Sequence, residues 1–236
     1  MRVPAGYRSV AEVVVLAAVA GVCAQLAQRV RPRTGSAEST GRREPLAALA
    51  PHNPLRAGHV FDALAARLSG DAVVIEESPS SRPELLARLP ARTPLGILSP
   101  AMGGLGFGIP AAIGIRMALP ERQVVALVGD GASLYSIQAL WTAVRYRVGA
   151  LIVVLANGGY AIMDRLMELE GRSSPWPGFP EIDFAALARA FGCQAQEVAT
   201  LDELERCLDE VVPGLDGRAE PLVLVVSVAP DETFAP

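Results

Sequence analysis

Asp130 and Asn157 are the residues best suited to hold a metal ion, and they stand 27 positions apart, each beside glycines: Gly129-Asp130-Gly131 and Asn157-Gly158-Gly159. A carboxylate, an amide oxygen and carbonyls freed by a tight turn make a hard, all-oxygen donor set suited to Mg²⁺. Glycines let the backbone fold closely around a ligand, and the start of a following helix offers unpaired N–H groups to a phosphate. No Lys or Arg lies between Gly129 and Val144. A diphosphate bound here would be neutralised by the metal and held by N–H groups, unlike the lysine-bearing P-loop.

Residues 124–128 and 151–155 must position these corners. Both are short apolar runs rich in β-branched side chains that end at turn residues, the pattern of strands covered on both faces. Residues 133–147 are long enough for a crossover helix, so the unit reads as a right-handed βαβ with neighbouring parallel strands. In an open parallel sheet, ligands sit beyond the carboxyl ends of the strands. Both corners fall there.

GDG followed by Asn at this spacing resembles the thiamine-diphosphate motif of the decarboxylase and acetolactate synthase superfamily. The text GDGASLYSIQALWTAVRY, then NGGY, with GGLGFGIPAAIGIRMALPERQVVALVGDG upstream, looks most like benzoylformate decarboxylase. The similarity runs from about Pro54 to Ala229 and covers the diphosphate-binding domain of such enzymes. It implies thiamine diphosphate and Mg²⁺ as cofactors. Asp130 and Asn157 would be side-chain metal ligands, and Gly159 would supply a backbone carbonyl. The cofactor would lie against Gly129, Gly131, Ala132, Ser133 and Tyr160, with Leu105 under the thiazolium and Gly104 near the aminopyrimidine. One departure is Ala156-Asn157, where the family usually has two asparagines. The second is the usual ligand, so metal binding should survive while the first one's local hydrogen bonds are lost.

Upstream, EESPSS follows the strand expected over 72–76, where the family touches the diphosphate. Ser78, Ser80 and Ser81 could donate to phosphate oxygens, or equally cap the helix expected over 83–89. Leu105 could equally be a core leucine. Gly106-x-Gly108-x-x-Ala111 formally matches a dinucleotide fingerprint, but it has no buried strand before it and no acidic residue at a suitable following strand end. It reads better as a glycine-rich helix start approached by a cofactor.

By resemblance, the cofactor is an electron sink when CO₂ leaves a 2-oxo acid substrate. A glutamate from a pyrimidine-binding domain, usually across a subunit interface, activates it. Nothing in this chain has the length or position of that domain, and neither His52 nor His59 is expected to be catalytic. The chain should hold half of a site, as an oligomer with a pyrimidine-binding domain on another chain. Three readings stay open: the cofactor-binding subunit of a split decarboxylase, a truncated inactive cofactor-binding fragment, and a non-catalytic nucleotide- or flavin-binding protein. Pyruvate, benzoylformate and sulfo- or phosphonopyruvate all remain candidate substrates, and an acetolactate-synthase-like condensation shares the motif.

The rest of the chain agrees with an α/β domain. Its 236 residues, 51% hydrophobic, suffice for a full core. A net charge of −4 gives no electrostatic reason to expect nucleic acid. Cys23, Cys193 and Cys207 form no metal or disulfide pattern, which points to a reducing cytoplasm. Residues 1–30 carry an apolar run at 13–24, too short to span a bilayer. A secretory leader would share its basic start, but Glu12 borders the run and no small-x-small site follows. A helix left from a preceding domain is the plainer reading. Residues 31–54, rich in Arg, Pro, Gly and Ser, read as a linker. Residues 55–236 should form a doubly wound, mostly parallel sheet of five or six strands with helices on both faces. Within it, the Pro- and Gly-rich loop 171–180 carries Trp176 and Phe179 and reads either as an apolar lid or as a surface loop with buried anchors.

Overall fold

The computed structural model describes residues 18–29, 49–50 and 52–230, and the chain divides between residues 44 and 45. Before the division lies helix α1 (Val19–Arg29), on which Cys23 is exposed. The remainder of the apolar run and most of the expected linker lie outside the described residues. No described helix is long and apolar enough to cross a membrane.

Past the division, the apolar runs become six strands: β1 (Val73–Glu77), β2 (Ile97–Leu98), β3 (Val124–Gly129), β4 (Leu151–Ala156), β5 (Gln194–Val198) and β6 (Leu222–Ser227). All pairings are parallel, in the order β2-β1-β3-β4-β6-β5. Successive side chains on a strand point to opposite faces, and both faces are covered. Val74, Val125, Leu127, Val153 and Leu224 pack with Phe61, Leu85 and Leu204 in one core. Val73, Ile75, Ala126, Ile152 and Val225 pack with Ile109, Leu140 and Phe184 in the other. The first core is closed by helices α2 (Ala57–Ala65), α3 (Arg82–Arg88) and a later helix, Leu201–Val211. The second is closed by α4 (Gly108–Ala118), the helical segment 130–145 and Phe184–Ala190. The doubly wound sheet expected from the sequence is therefore present.

The crossover from β3 to β4 differs from the single helix expected. It is one turn, α5 (Asp130–Ser133), then a stretch of turns, then α6 (Ala139–Arg145). Through this stretch and the first turn of α6, Tyr135, Ser136, Ala139, Leu140 and Trp141 each donate a backbone N–H to the carbonyl three residues before, the tighter winding of a 3₁₀ helix. Strand β1 ends at Glu77, one residue later than expected, which brings a second carboxylate onto the strand end.

The last third of the chain follows its local signals. After α7 (Ala161–Leu169), Asp183 caps α8 (Phe184–Ala190), its carboxylate accepting the Ala186 N–H at 2.7 Å. Thr200 and Glu203 exchange bonds in a capping box at the start of α9 (Leu201–Val211). Gly192, at φ 89, supplies the left-handed stop after α8. At the other end of the sheet, Arg116 on α4 donates to the carbonyls of Pro120, Arg122, Asp216 and Arg218, tying α4 to the turn that feeds β6.

The cysteines give a simple test of this packing. Burial pushes the Cys193 thiol from 9.0 up to about 11, and burial likewise raises that of Cys207. In the folded chain, a water-soluble thiol reagent at pH 8 should label Cys23 alone, and all three thiols should react after denaturation. Labelling of Cys193 in the folded chain would contradict the core. The unfolded thiol ionises at 9.0 and the folded one near 11, so Cys193's contribution to stability is complete below pH 9.0 and is lost as pH rises to about 11.

Candidate functional site

The connections from β1 and β3 leave in opposite directions across the sheet, β1 toward β2 and β3 toward β4. Such a switch point opens a crevice beyond the strand ends, the standard ligand position in this architecture. Two sequence segments meet there in register, Glu77 beside Val128, so the chain after β1 and the corner after β3 form the two walls.

The β3 corner is built around Asp130, only 2% exposed. One carboxylate oxygen accepts the N–H of Gly131 at 2.7 Å. The other accepts the N–H groups of Asn157 at 2.9 Å and Gly158 at 2.6 Å. Gly158 reaches this geometry at φ +75, a region that L side chains avoid. Asn157 Oδ1 in turn accepts the Gly159 N–H at 3.2 Å. Asp130 thus joins the ends of two neighbouring strands. Burial pushes its carboxyl above the usual carboxylate range, and the three N–H bonds hold it part of the way back.

The β1 wall is built around two adjacent buried carboxylates that the sequence reading did not single out. Glu77 accepts N–H groups from Gly106, from Phe107 at 3.1 Å and from Gly108 at 2.6 Å, and so anchors the glycine-rich start of α4. Gly106 sits at φ 94. A Cβ on Gly108 would meet Val128 Cγ1 at 2.7 Å and Glu77 Oε2 at 2.8 Å, so only glycine lets α4 begin pressed against both strands. Glu76 holds the next segment: its carboxylate accepts the Ser78 N–H at 2.7 Å, Arg82 Nε at 2.7 Å and Ser99 Oγ at 2.8 Å.

Between these walls lies a cleft of about 360 Å³. Ser78, Ser80, Leu105, Gly129, Asp130, Gly131, Ala132, Asn157, Gly159 and Tyr160 all line it. Of the residues named for the site, Ser81, Gly104 and Ser133 do not. Gly103 takes the lining position next to Gly104, and Ser133 is fully buried, its hydroxyl donating to the Asp130 carbonyl at 2.7 Å to close the one-turn helix. Leu105 belongs to neither core and is 37% exposed. The serines do not cap α3, since neither Ser78 nor Ser81 makes a side-chain capping bond. His59 is buried by structural bonds, with Nδ1 accepting the Arg56 N–H and Nε2 facing the Ala50 carbonyl at 3.0 Å. His52 is exposed and bonded to the Pro54 carbonyl.

The loop at 171–180 has one anchored end. Phe179 is buried, lies edge-on to Tyr160 with ring centroids 5.1 Å apart, and donates its N–H to the Gly158 carbonyl at 2.9 Å. Tyr160 in turn packs so closely over the corner that a Cβ on Gly131 would meet its ring at 2.5 Å. Trp176 stays 40% exposed. The chain from Tyr160 to Phe179 therefore braces the Asn-Gly-Gly corner from outside.

Two features of the cleft bear on whether a divalent cation and a diphosphate fit it. Asp130 and Asn157 present oxygen donors, and no described arginine forms an ion pair with the buried Asp130 carboxylate. Of the other lining residues, Ser78 and Arg82 carry buried donors, Oγ and Nη2, with no hydrogen-bond partner among the described residues. Unpartnered buried donors are uncommon and ask for an acceptor. The donor chemistry fits both groups.

Fold and crevice together define a doubly wound α/β domain with an oxygen-rich corner at its switch point. The thiamine pyrophosphate enzyme family's C-terminal TPP binding domain matches residues 84–226. Benzoylformate decarboxylase of Pseudomonas aeruginosa is 42% identical over 156 residues, 66% of this chain and 30% of that protein. The acetolactate synthase large subunit of Haemophilus influenzae is 39% identical over 116 residues, 48% of this chain and 20% of that one. The crystal structure of benzoylformate decarboxylase from Polynucleobacter necessarius aligns with a TM-score of 0.73 at 30% identity, covering 81% of this chain and 36% of that one. The chain belongs to the thiamine pyrophosphate enzyme family and carries its C-terminal TPP-binding domain. It spans 20% to 36% of the length of these three relatives.

Proposed function

We propose that this chain is the thiamine-diphosphate- and Mg²⁺-binding part of a 2-oxo acid decarboxylase of the benzoylformate type, completed by a pyrimidine-binding domain on another chain. The observation that carries this reading is the Asp130 corner: a buried carboxylate with no described arginine paired to it, beside Asn157, in the crevice beyond the strand ends of a TPP-binding domain.

In this reading Asp130, Asn157 and the Gly159 carbonyl hold the cation. The backbone bonds to Asp130 fix its oxygens, so little ordering is required when the ion arrives. Leu105, Gly103 and Gly104 receive the ring end of the cofactor, and Ser78 and Ser80 its diphosphate. The bound cofactor supplies the electron sink for loss of CO₂. The chain's own residues bind and orient, while Leu105, Tyr160, Ile162 and Met163 give the cleft an apolar lining that limits water. The activating glutamate comes from the partner. Exposed Tyr135, Trp141 and Tyr146, on and beside α6, supply apolar surface for such a partner. The cytoplasm is the compartment we assign, since the cysteines are unpaired. The similarity to an acetolactate synthase keeps a carboligation of the same cofactor chemistry as the second reading.

Calorimetric titration of thiamine diphosphate into the chain should show binding with Mg²⁺ that EDTA removes, and catalysis only after a pyrimidine-domain chain is added. Decarboxylation of a 2-oxo acid by the chain alone would overturn the split-site assignment. Absence of binding both alone and with the partner would overturn the cofactor assignment.

A further inference from the structure

The sequence contains two asparagines, Asn53 and Asn157. An asparagine side chain is open to attack by the backbone nitrogen of the next residue, which closes a cyclic imide and expels ammonia. Asn53 is followed by proline, whose nitrogen has no proton to lose. Asn157 is followed by Gly158, whose nitrogen has one and which carries no Cβ to hinder the approach. Both residues of the pair are half-buried, and Asn157 lines the cleft, so water reaches them.

Attack requires the peptide unit between Asn157 and Gly158 to turn until its nitrogen, freed of its proton, faces the side-chain carbon Cγ. The fold opposes each part of that movement. The Gly158 N–H is donated to Asp130 at 2.6 Å, and the Asn157 N–H to the same carboxylate oxygen at 2.9 Å. The Gly158 carbonyl accepts the Phe179 N–H at 2.9 Å, so the next peptide unit is held as well. Asn157 Oδ1 accepts the Gly159 N–H at 3.2 Å, which fixes the side-chain amide by its oxygen. None of these bonds belongs to a helix or to the sheet ladder, so the corner opens at less cost than the strands behind it.

We propose that Asn157-Gly158 is a site of spontaneous covalent modification, deamidation, held in check by the bonds to Asp130. When those bonds open, the Gly158 nitrogen attacks Asn157 Cγ. The N–Cγ bond forms and the Cγ–Nδ2 bond breaks, and the proton of the Gly158 nitrogen leaves with Nδ2 as ammonia. One water then opens the imide. Attack at Cγ gives aspartate at 157, and attack at the backbone carbon gives isoaspartate, with the chain rerouted through the side chain. Aspartate sets a second carboxylate beside Asp130. Isoaspartate lengthens the backbone at the corner and pulls Gly158 out of register with Asp130. No oxidant, metal or cofactor is consumed, and the site needs no part of the cofactor reading. Asp130 thereby has a second role, protecting the residue next to it in space from chemistry that its own sequence invites.

Trypsin cuts after Arg147 and Arg165, and residues 148–165 carry Asn157 with no glutamine and no other asparagine. This peptide serves both to locate the change and as the unfolded reference. The full chain, the free peptide, and full-length Asp130→Asn and Asp130→Ala are incubated side by side in mildly alkaline buffer. Mass spectrometry of residues 148–165 follows the mass gained as Asn becomes Asp. The free peptide should convert at least about tenfold faster than the folded chain, the factor for opening one hydrogen bond to a charged group. Both variants should convert faster than folded wild type, Asp130→Ala more so because it keeps no acceptor oxygen. Thermal melting shows whether each variant folds. Hydrogen exchange of the Gly158 amide in wild type tests the same protection without any variant, and it should be slowed by a similar factor. A folded chain that converts as fast as the peptide would overturn the proposal, as would a peptide that does not convert, folded variants no faster than wild type, or an unprotected Gly158 amide.

Discussion

Asp130→Asn is expected to reduce Mg²⁺-dependent thiamine diphosphate binding by about 100-fold or more, since changes one shell further from a metal already cost about 10- to 100-fold. The substitution keeps the side chain's size and one acceptor oxygen but removes the charge that a divalent cation needs. It also turns an amide NH₂ toward backbone donors: the Gly131 N–H on one side, or those of Asn157 and Gly158 on the other. Asp130→Ala is the less clean variant, because it leaves three buried N–H groups without an acceptor at the ends of two core strands. Titration with and without EDTA reads the effect directly. Wild-type affinity in Asp130→Asn would remove Asp130 from the metal site.

Glu77→Gln should destabilise the fold by about 1–3 kcal/mol, the cost of one buried donor facing another where an acceptor stood. Glu77 Oε2 lies 2.6 Å from the Gly108 N, and Oε1 accepts from both Gly106 and Phe107, so either amide orientation sets NH₂ against N–H. Glu77→Ala leaves all three donors bare and should cost more, partly offset because no charge is then buried. Urea denaturation measures both. The same variants should weaken cofactor binding, because the segment that Glu77 holds carries Gly103 and Leu105 into the cleft. A Glu77→Gln chain as stable as wild type would show that the carboxylate does not anchor α4.

The Asp130–Asn157 corner was legible because its residues lie at the ends of strands that announce themselves. Residues 124–128 and 151–155 are apolar, β-branched and stopped by glycine, so period and punctuation agree, and Asp130 and Asn157 follow directly. The opposite wall was less legible. Glu77 acts on Gly106 to Gly108 across about 30 positions, and a carboxylate beside a strand end carries no local sign of the backbone it will meet. A one-residue difference in where β1 stops was enough to hide it, since residues of opposite faces alternate. Arg82 at the start of a short helix before proline reads as an ordinary exposed position, and only Glu76 turns it inward. The wound stretch between α5 and α6 contains neither Pro nor Gly, so nothing in residues 134–138 separates a 3₁₀ winding from an α-helix. Gly104 and Ser133 were placed at the cofactor by resemblance; Gly103, beside Gly104, lines the cleft, and the Ser133 hydroxyl closes the one-turn helix.

The sheet's two margins differ sharply from its centre. β2 offers two residues, and β5 carries Gln194, Gln196 and Glu197 exposed at the other border. Neither border is a long, flat, apolar ribbon onto which another chain could add a strand. Growth of this domain into larger assemblies by strand addition is therefore disfavoured at both borders of the sheet.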